Sequence, residues 1–161
     1  MIACLHAVSV FVAVSTIACH RKQTDVQAPP SMLRGIISVT GTSFDQRIQL
    51  RTQDRSTRLW ANPADSAALT RLGGMEVETR GWLDERGMRV ASFTAWSVSG
   101  APVVDGIVRV NGGNVSLETE KGLVALGNPP NELRTMPGAR VWVSGSLEKG
   151  PNSYGVILPA R

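Results

Sequence analysis

Apolar and polar residues alternate in short stretches along most of the chain, which is the pattern of half-buried β-strands. In one stretch Ile48, Leu50 and Thr52 share a face, and arginines and a glutamine take the other. Three further stretches place on one face Val115, Leu117 and Thr119; Met75, Val77, Thr79, Gly81 and Leu83; and Ala139, Val141, Val143, Gly145 and Leu147. The pattern predicts short strands that each bury one face, as the strands of a small barrel do.

One seven-residue stretch occurs twice, about seventy residues apart, at residues 35–41 and 106–112. The two copies read GIISVTG and GIVRVNG, so four of the seven positions are identical. Further segments match in the same order, namely 48–52 with 115–119, 62–63 with 128–129, 77–83 with 141–147, and 89–95 with 153–159. Single matched positions between them include Leu69 with Leu133 and Gly74 with Gly138. An internal repeat of this kind predicts one structural unit that is used twice.

A short helix is predicted between the third and fourth strands of each unit. In the first unit Asn62 is a suitable N-cap, and Pro63 suits the first helical position. Gly73 or Gly74 can end this helix. In the second unit Asn128 is the predicted cap, and the helix is shorter, down to a single turn.

The predicted order is three strands, a short helix and two strands, given twice, and this is the topology of the OB-fold. The spacing of glycines and apolar residues resembles that of small bacterial OB-fold-like domains found in exported proteins of unknown function. The resemblance implies an all-β fold with two tandem five-stranded barrels, at residues 32–98 and 102–161, joined through residues 97–102. A β-sandwich and an SH3-like barrel are the alternative folds.

The first eighteen residues are predicted to be a secretory signal peptide. They contain no Lys, Arg, Asp or Glu, and their apolar run, residues 7–18, is too short to span a bilayer as a stable helix. Residues 16–19, Thr-Ile-Ala-Cys, resemble the lipobox of bacterial lipoproteins, which implies that Cys19 becomes the first mature residue and carries the lipid. Thr16 stands where that family usually has Leu. The alternatives are a plain secreted protein, an uncleaved anchor and a misassigned start of the chain.

A polar segment without hydrophobic periodicity follows the signal peptide and ends in two prolines, so residues 19–31 are predicted to be a flexible tether. The resemblance to lipoproteins implies a lipid anchor in the bacterial cell envelope, with the protein facing the periplasm. In that family an Asp after the modified Cys favours retention in the inner membrane, so His20 slightly favours the outer membrane. Without lipidation the protein would be secreted.

Side chains for common catalytic chemistry are missing after the tether. No His follows His20 and no Cys follows Cys19, which excludes Ser-His-Asp, Cys-His and Cys/His zinc sites in the predicted folded part. The acidic residues stand singly or in turns, and the net charge of +4 is spread along the chain. The sequence therefore predicts a non-enzymatic protein with no catalytic residue, metal site or cofactor. A hydrolase that uses carboxylates alone is the enzymatic alternative.

One candidate binding surface lies on the second and third strands of the first unit, on the face that OB-folds commonly use for ligands. Its residues are Arg47, Arg51, Arg58 and Trp60. Arginine with an aromatic residue is the composition that binds single-stranded nucleic acid or anionic sugars. The second unit carries Glu118 and Glu120 at the equivalent place, which makes nucleic acid the weaker candidate. The alternative interpretation is that these are ordinary outward residues, with Trp60 covering the end of the barrel.

The remaining tryptophans, Trp82, Trp96 and Trp142, are predicted to fill the contact between the two units or to form an exposed partner site. Taken together, these patterns predict an envelope lipoprotein that acts as a binding or assembly module for a protein or an envelope polymer. The alternative is an oligonucleotide- or anionic-polysaccharide-binding protein that uses the outer face of the first unit.

Overall fold

A computed structural model describes residues 29–42 and 45–160, and this part of the chain is all-β with two short helices. The predicted signal peptide, Cys19 and the tether as far as residue 28 lie outside the described residues. The elements are β1 (Ser31–Thr40), β2 (Arg47–Arg51), β3 (Ser56–Trp60), α1 (Pro63–Arg71), β4 (Glu76–Asp84), β5 (Gly87–Val98), β6 (Ala101–Asn111), β7 (Asn114–Thr119), β8 (Gly122–Leu126), α2 (Asn131–Arg134), β9 (Arg140–Ser146) and β10 (Gly150–Leu158).

The order of elements is the predicted one, and strand pairing divides them into two halves. In the N-terminal half (β1–β5 with α1), β1 pairs with β2 and β4, and β3 pairs with β2 and, in parallel, with β5. Since β4 also pairs with β5, each of these five strands has two neighbours within its half. In the C-terminal half (β6–β10 with α2) the described strands lie in the order β8-β7-β6-β9-β10. The hydrogen bonds between β5 and β6 join the two halves into one ten-stranded sheet.

Each half has its own apolar core, and most of the predicted inward residues lie in it. The N-terminal core contains Ile37, Ile48, Leu50, Leu69, Leu72, Val77 and Met88, and the C-terminal core contains Val108, Val115, Leu117, Leu133, Val141 and Val143. The prediction that Leu83 faces the core was wrong, because the residue is 40% exposed. It is the last residue but one of β4, next to the exposed turn at residues 85–86, and a period of two does not show where along a strand the core ends.

The sequence repeat corresponds to a repeat in hydrogen bonding. The N–H of Ile37 donates to the C=O of residue 75, and its C=O accepts from the N–H of residue 74, at 2.9 and 2.8 Å. Val108 makes the same two bonds to residues 139 and 138, both at 2.8 Å. The sequence aligns Ile37 with Val108, so residues that were predicted to be equivalent make equivalent bonds.

The first glycine of the repeated stretch has the same steric role in both halves. A methyl group on Gly35 would lie 2.4 Å from the carbonyl oxygen of Arg51, and one on Gly106 would lie 2.8 Å from that of Glu118. Both distances are shorter than a van der Waals contact. The glycine therefore lets the first two strands of each half approach closely.

Helix α1 begins as predicted. Asn62 is its N-cap and accepts a 2.9 Å hydrogen bond from the N–H of Asp65, and Pro63 occupies the first turn. Its C-cap is Leu72, and the two glycines follow directly. The chain then turns into β4, with Gly74 at a φ of +84°.

The prediction that Asn128 caps the second helix was wrong. Helix α2 has only four residues, and its N-cap is Pro130. A proline disfavours helical geometry in the residue before it, and here two prolines follow Asn128 in sequence. Asn128 instead has a φ of +40°, and its side-chain amide donates to the carbonyl of Lys149 at 3.4 Å.

A hairpin and a buried ion pair connect the halves. The segment predicted to join the units is the β5–β6 hairpin, in which residues 97–98 pair with 101–102 around the turn at Ser99 and Gly100. Farther from the turn, Asp105 of β6 and Arg140 of β9 form an ion pair of 2.7 Å. The Asp105 side chain is only 3% exposed.

Both members of the ion pair also bond to the backbone of β5. The Asp105 carboxylate accepts a hydrogen bond from the N–H of Ala95 at 2.8 Å, and Arg140 donates to the carbonyl of Phe93. The Arg140 guanidinium also lies 4.5 Å from the centre of the Phe93 ring. These contacts occupy the stretch of β5 between its pairing with β3 at residues 88–89 and its pairing with β6 at residues 97–98. The side chains of Asp105 and Arg140 thus bond to the backbone of β5 at residues that pair with neither β3 nor β6.

Apolar residues extend the contact between the halves. Ile157 of β10 is fully buried in the N-terminal core, and Trp142 of β9 packs against the same core. The carbonyl of Ile157 accepts a 3.1 Å hydrogen bond from Arg71 at the end of α1. Trp142 therefore lies between the halves, whereas Trp96 is 42% exposed.

We expect Arg140→Ala to lower the free energy of unfolding by about 3 kcal/mol, because it leaves the buried Asp105 carboxylate without its partner. The matched control is Arg109→Ala, which breaks an exposed pair with Glu118 and should cost less than about 1 kcal/mol. Urea unfolding of both variants followed by tryptophan fluorescence measures the difference. Equal losses in the two variants would contradict the structural role of the buried pair.

Candidate binding surfaces

Three of the four predicted binding residues lie together in the structure. Arg58 and Trp60 are two positions apart on β3, so they share one side of the strand, and the Arg58 guanidinium lies 3.8 Å from the centre of the Trp60 ring. The Trp60 indole N–H donates to the carbonyl of Arg86 at 3.3 Å, and the residue is 43% exposed. These two residues and Arg47 line an open cleft of about 310 Å³ beside α1.

Arg51, the fourth predicted residue, lies elsewhere. It stands at the opposite end of the five-residue strand β2 from Arg47, about 13 Å away at roughly 3.3 Å per residue. It lines a second cleft, of about 900 Å³, with Arg34 and the turn between β5 and β6. The predicted four-residue surface is therefore divided between two clefts.

The contacts of the Arg/Trp cleft (Arg47, Arg58 and Trp60) limit its attraction for anions. Arg47 forms an exposed ion pair of 3.0 Å with Asp45, which offsets its charge. Arg58 already covers one face of the Trp60 ring, so a base or sugar that stacks on that face must first displace it. The cleft thus offers one arginine without an acidic partner among the described residues, next to an aromatic ring.

A second arginine–tryptophan pair, which the sequence patterns did not identify, lies on the other side of the N-terminal half. The Arg34 guanidinium of β1 lies 3.8 Å from the centre of the Trp96 ring of β5. Its Nε donates to Glu76 of β4 at 2.9 Å, and the other oxygen of Glu76 accepts from the Ser97 hydroxyl at 2.7 Å. Their contact depends on β4 lying between β1 and β5, which no local pattern of the sequence contains.

The carboxyl of Glu76 is held ionised by these two donors. The hydrogen bond from Arg34 and then that from Ser97 lower the pKa of Glu76, against the effect of partial burial, which raises it. An ionised Glu76 in turn fixes the position of Arg34 over Trp96. The contacts among Arg34, Glu76 and Ser97 therefore hold the Trp96 side chain in place, and Trp96 also lines the third surface, described next.

The junction groove, our name for a depression of about 540 Å³ between the halves, is the third surface. The N-terminal half lines it with Thr94, Ala95 and Trp96 of β5 and with Glu78 and Arg80 of β4. The C-terminal half lines it with Pro102, Val103, Val104 and Asp105 of β6 and with Thr119, Glu120, Lys121 and Val124. Its acidic residues are balanced by basic ones, since Arg80 pairs with Glu78, Asp105 pairs with Arg140, and Lys121 adjoins Glu120.

Within residues 29–42 and 45–160, no group of three or more His, Cys, Asp or Glu side chains is arranged to hold a metal ion. Neither α1 nor α2, the helices of this part of the chain, has the length and apolar character needed to cross a membrane. Comparison of the chain with protein-family models, curated proteins and solved structures found no match.

We expect Glu76→Gln to reduce stability at neutral pH by less than about 1 kcal/mol, as for a partly exposed pair. Because the pKa of Glu76 is lowered in the folded protein, its ionised form stabilises the fold above the pKa of the unfolded chain, about 4.3. This contribution is lost as the pH falls through the folded pKa. The difference between wild type and variant should therefore be present at pH 7 and shrink below about pH 4.

Urea unfolding at pH 7 and pH 3 measures this difference. Glu85→Gln, in the exposed turn between β4 and β5, is the matched control. A Glu76→Gln deficit that is the same at both pH values would show that the carboxylate charge is not the cause.

Proposed function

We propose that the protein is a non-enzymatic binding or assembly module of the bacterial cell envelope, built from two tandem OB-like barrels and held by a lipid on Cys19. The strand pairing of the N-terminal half supports the first part of this proposal. Its pairings run β1-β2-β3-β5-β4 and return to β1, with the helix between β3 and β4. That order, with its parallel β3–β5 contact, is the arrangement of a five-stranded OB barrel.

The C-terminal half has the same order with one pairing fewer. Strands β6, β7 and β9 repeat the relations of β1, β2 and β4, and β8 corresponds to β3. Backbone pairing between β8 and β10 is missing from the described residues, where the N-terminal half has its β3–β5 contact. We interpret this half as a second OB-like unit that is partly open at one side.

The sequence before the described residues supports the envelope location. The signal-like run, the Thr-Ile-Ala-Cys segment and the polar stretch that leads to β1 are the features of an exported lipoprotein on a tether. The lipid would anchor the module to a membrane with its folded part in the periplasm, and we favour the outer membrane. Without lipidation, the same chain would be a secreted binding protein.

The junction groove is the observation that carries the binding function. It combines apolar side chains from both halves, among them Trp96, Val104 and Val124, with charged residues at its rim that cancel each other. Recognition sites commonly have this composition of apolar walls and few polar groups. A site without net charge suits a polypeptide better than a polyanion, so we propose an envelope protein as the partner.

The Arg/Trp cleft supports the alternative, an oligonucleotide- or anionic-polysaccharide-binding protein. The specific observation in its favour is that Arg47, Arg58 and Trp60 share one cleft. The ion pair of Arg47 with Asp45 and the distant position of Arg51 weaken it. An envelope location further disfavours nucleic acid.

For the anchor, we expect the mature chain from a Gram-negative host to begin at Cys19 and to carry a diacyl or triacyl modification. Intact-mass spectrometry of the purified protein measures this directly. The Cys19→Ala variant is the control and should show no lipid mass. An unmodified wild-type chain that retains Met1 would overturn the envelope location.

For the binding site, we expect a photo-reactive phenylalanine at position 96 to cross-link the protein to a discrete envelope protein in living cells. The same probe at position 60 reports on the Arg/Trp cleft, and at position 55, in the exposed turn after β2, it is the control. Cross-linking at position 60 to polysaccharide, with none at 96, would favour the alternative. Cross-linking at none of the positions would contradict the binding function.

A further inference from the structure

The outer edge of β8 differs from that of its counterpart β3. Strand β3 has β2 on one side and β5 on the other, the latter through residues 59–60 and 88–89. Strand β8 has β7 on one side, and the described residues contain no strand paired with its other side. The backbone groups on that side of β8 are therefore available to pair with an added strand.

Strand β8 also lacks the features that usually protect an edge. Its sequence, Gly-Leu-Val-Ala-Leu, contains no charged residue and no proline. Leu123 is 69% exposed, the highest value among the large apolar side chains of the described residues, and Ala125 beside it is exposed as well. Apolar edges that have neither charged residues nor proline readily pair with other extended chains.

The far end of this edge is already occupied. The N–H of Gly127 donates to the carbonyl of Leu147 at 2.7 Å, and a methyl group on Gly127 would meet the carbonyl oxygen of Glu148 at 1.7 Å. The turn between β9 and β10 therefore closes the edge just after Leu126. This leaves residues 122–125 as the open segment.

The open segment leads into the junction groove. Val124 of β8 and residues 119–121, which precede β8, line the groove together with Trp96 and Pro102. On one face of a strand added to β8, side chains would lie beside Leu123 and Ala125. On the other face they would lie beside Val124 and point towards the groove, which Val104 also lines. The groove therefore provides side-chain contacts for a strand whose backbone is bound by β8.

We propose that β8 binds an extended segment of a partner protein, which adds as a strand along residues 122–125 and fills the junction groove. This inference rests on the proposed binding function and names the kind of partner. The segment would have mainly apolar residues and no net charge, since the edge is uncharged and the charged residues that line the groove are balanced. Backbone hydrogen bonds would supply affinity, and the groove would select the side chains.

A free extended segment fits this site better than a second copy of the chain. The groove beside the open segment is lined by β5 and the start of β6 together with residues 119–121. An isolated strand can pair with residues 122–125 and contact these residues with its side chains. A second molecule would bring its own charged β7–β8 turn, with Glu120 and Lys121, next to the uncharged edge.

The test uses a nine-residue peptide based on residues 87–95 with Arg89→Ser, GMSVASFTA, which has no net charge, blocked at both ends and labelled with an uncharged fluorophore. In the N-terminal half the start of this segment, at residues 88–89, pairs with β3, the counterpart of β8. The protein is the chain from residue 19 with Cys19→Ser, and fluorescence anisotropy measures its binding of the peptide.

We expect saturable binding of the peptide by the wild-type sequence. In the variant Leu123→Lys/Ala125→Lys the affinity should fall by about tenfold or more, or 1.4 kcal/mol. Ile36→Lys, at an exposed apolar residue of β1, should bind as wild type does.

Hydrogen exchange provides a readout that needs no variant. In the wild-type protein, peptide should slow exchange at the amides of residues 122–125 and leave those of β1 unchanged. The proposal is overturned if the peptide shows no saturable binding up to about 1 mM, or if the double-lysine variant binds equally well. A concentration-dependent dimer that the same variant abolishes would also overturn it, by assigning the edge to a second copy.

The two proposals fail in distinguishable ways. Cross-linking from position 96 together with no peptide binding would retain the binding module and reject strand addition on β8. Peptide binding without any cross-linked partner in cells would retain the site and reject its assignment to an envelope protein.

Discussion

The Asp105–Arg140 pair is the interaction on which the relation between the two halves depends. Hydrogen bonds between β5 and β6 are confined to the residues next to the turn, so the hairpin alone would leave the halves joined at one point. The carboxylate and the guanidinium bond to each other and to the backbone of β5 at Ala95 and Phe93. A buried carboxylate is stable only with such partners, and the requirement holds β6 and β9 against β5.

Apolar contacts between the two halves add to the contact that the ion pair makes. Ile157 enters the core of the other half, and Trp142 packs beside it. Ion pairs and hydrogen bonds are directional, whereas burial of apolar surface is not, so the pair sets the orientation and the apolar contacts add stability. The junction groove is a consequence of this orientation, because residues of both halves line it and Asp105 is one of them.

The two halves differ most at one strand edge, despite their common order of elements. The N-terminal half uses the edge of β3 for its own β5. In the C-terminal half, β10 directs Ile157 into the neighbouring core and contacts α1 of the N-terminal half, and β8 has no second strand among the described residues. Strand β10, the counterpart of β5 in the chain, thus contributes to the contact between the halves. In our proposal the stability of the junction and the open binding edge have this common origin.

Much of the local structure could be predicted from the residues. Alternation located the strands, the Asn62-Pro63 pair located α1, and the repeated stretch identified positions that make equivalent hydrogen bonds in both halves. Local prediction failed at Leu83 and Asn128. At Leu83 the strand continues beyond the core to an exposed turn, and a period of two does not show where the core ends. At Asn128 the two prolines that follow change the backbone, which a cap preference does not contain.

In the candidate sites, too, some features could be predicted from local sequence and others could not. Arg58 and Trp60 were predicted to share a surface, because residues two apart on one strand point the same way. The stacking of Arg34 on Trp96 and the separation of Arg51 from Arg47 were not predicted, since they depend on strand order and strand length in space. By itself, the sequence determined the β-rich class, the repeat and the absence of His and Cys after residue 20, because these follow from local periodicity and composition. Tertiary structure alone decided the buried ion pair, the groove and the open edge of β8, because each is formed by residues far apart in the chain.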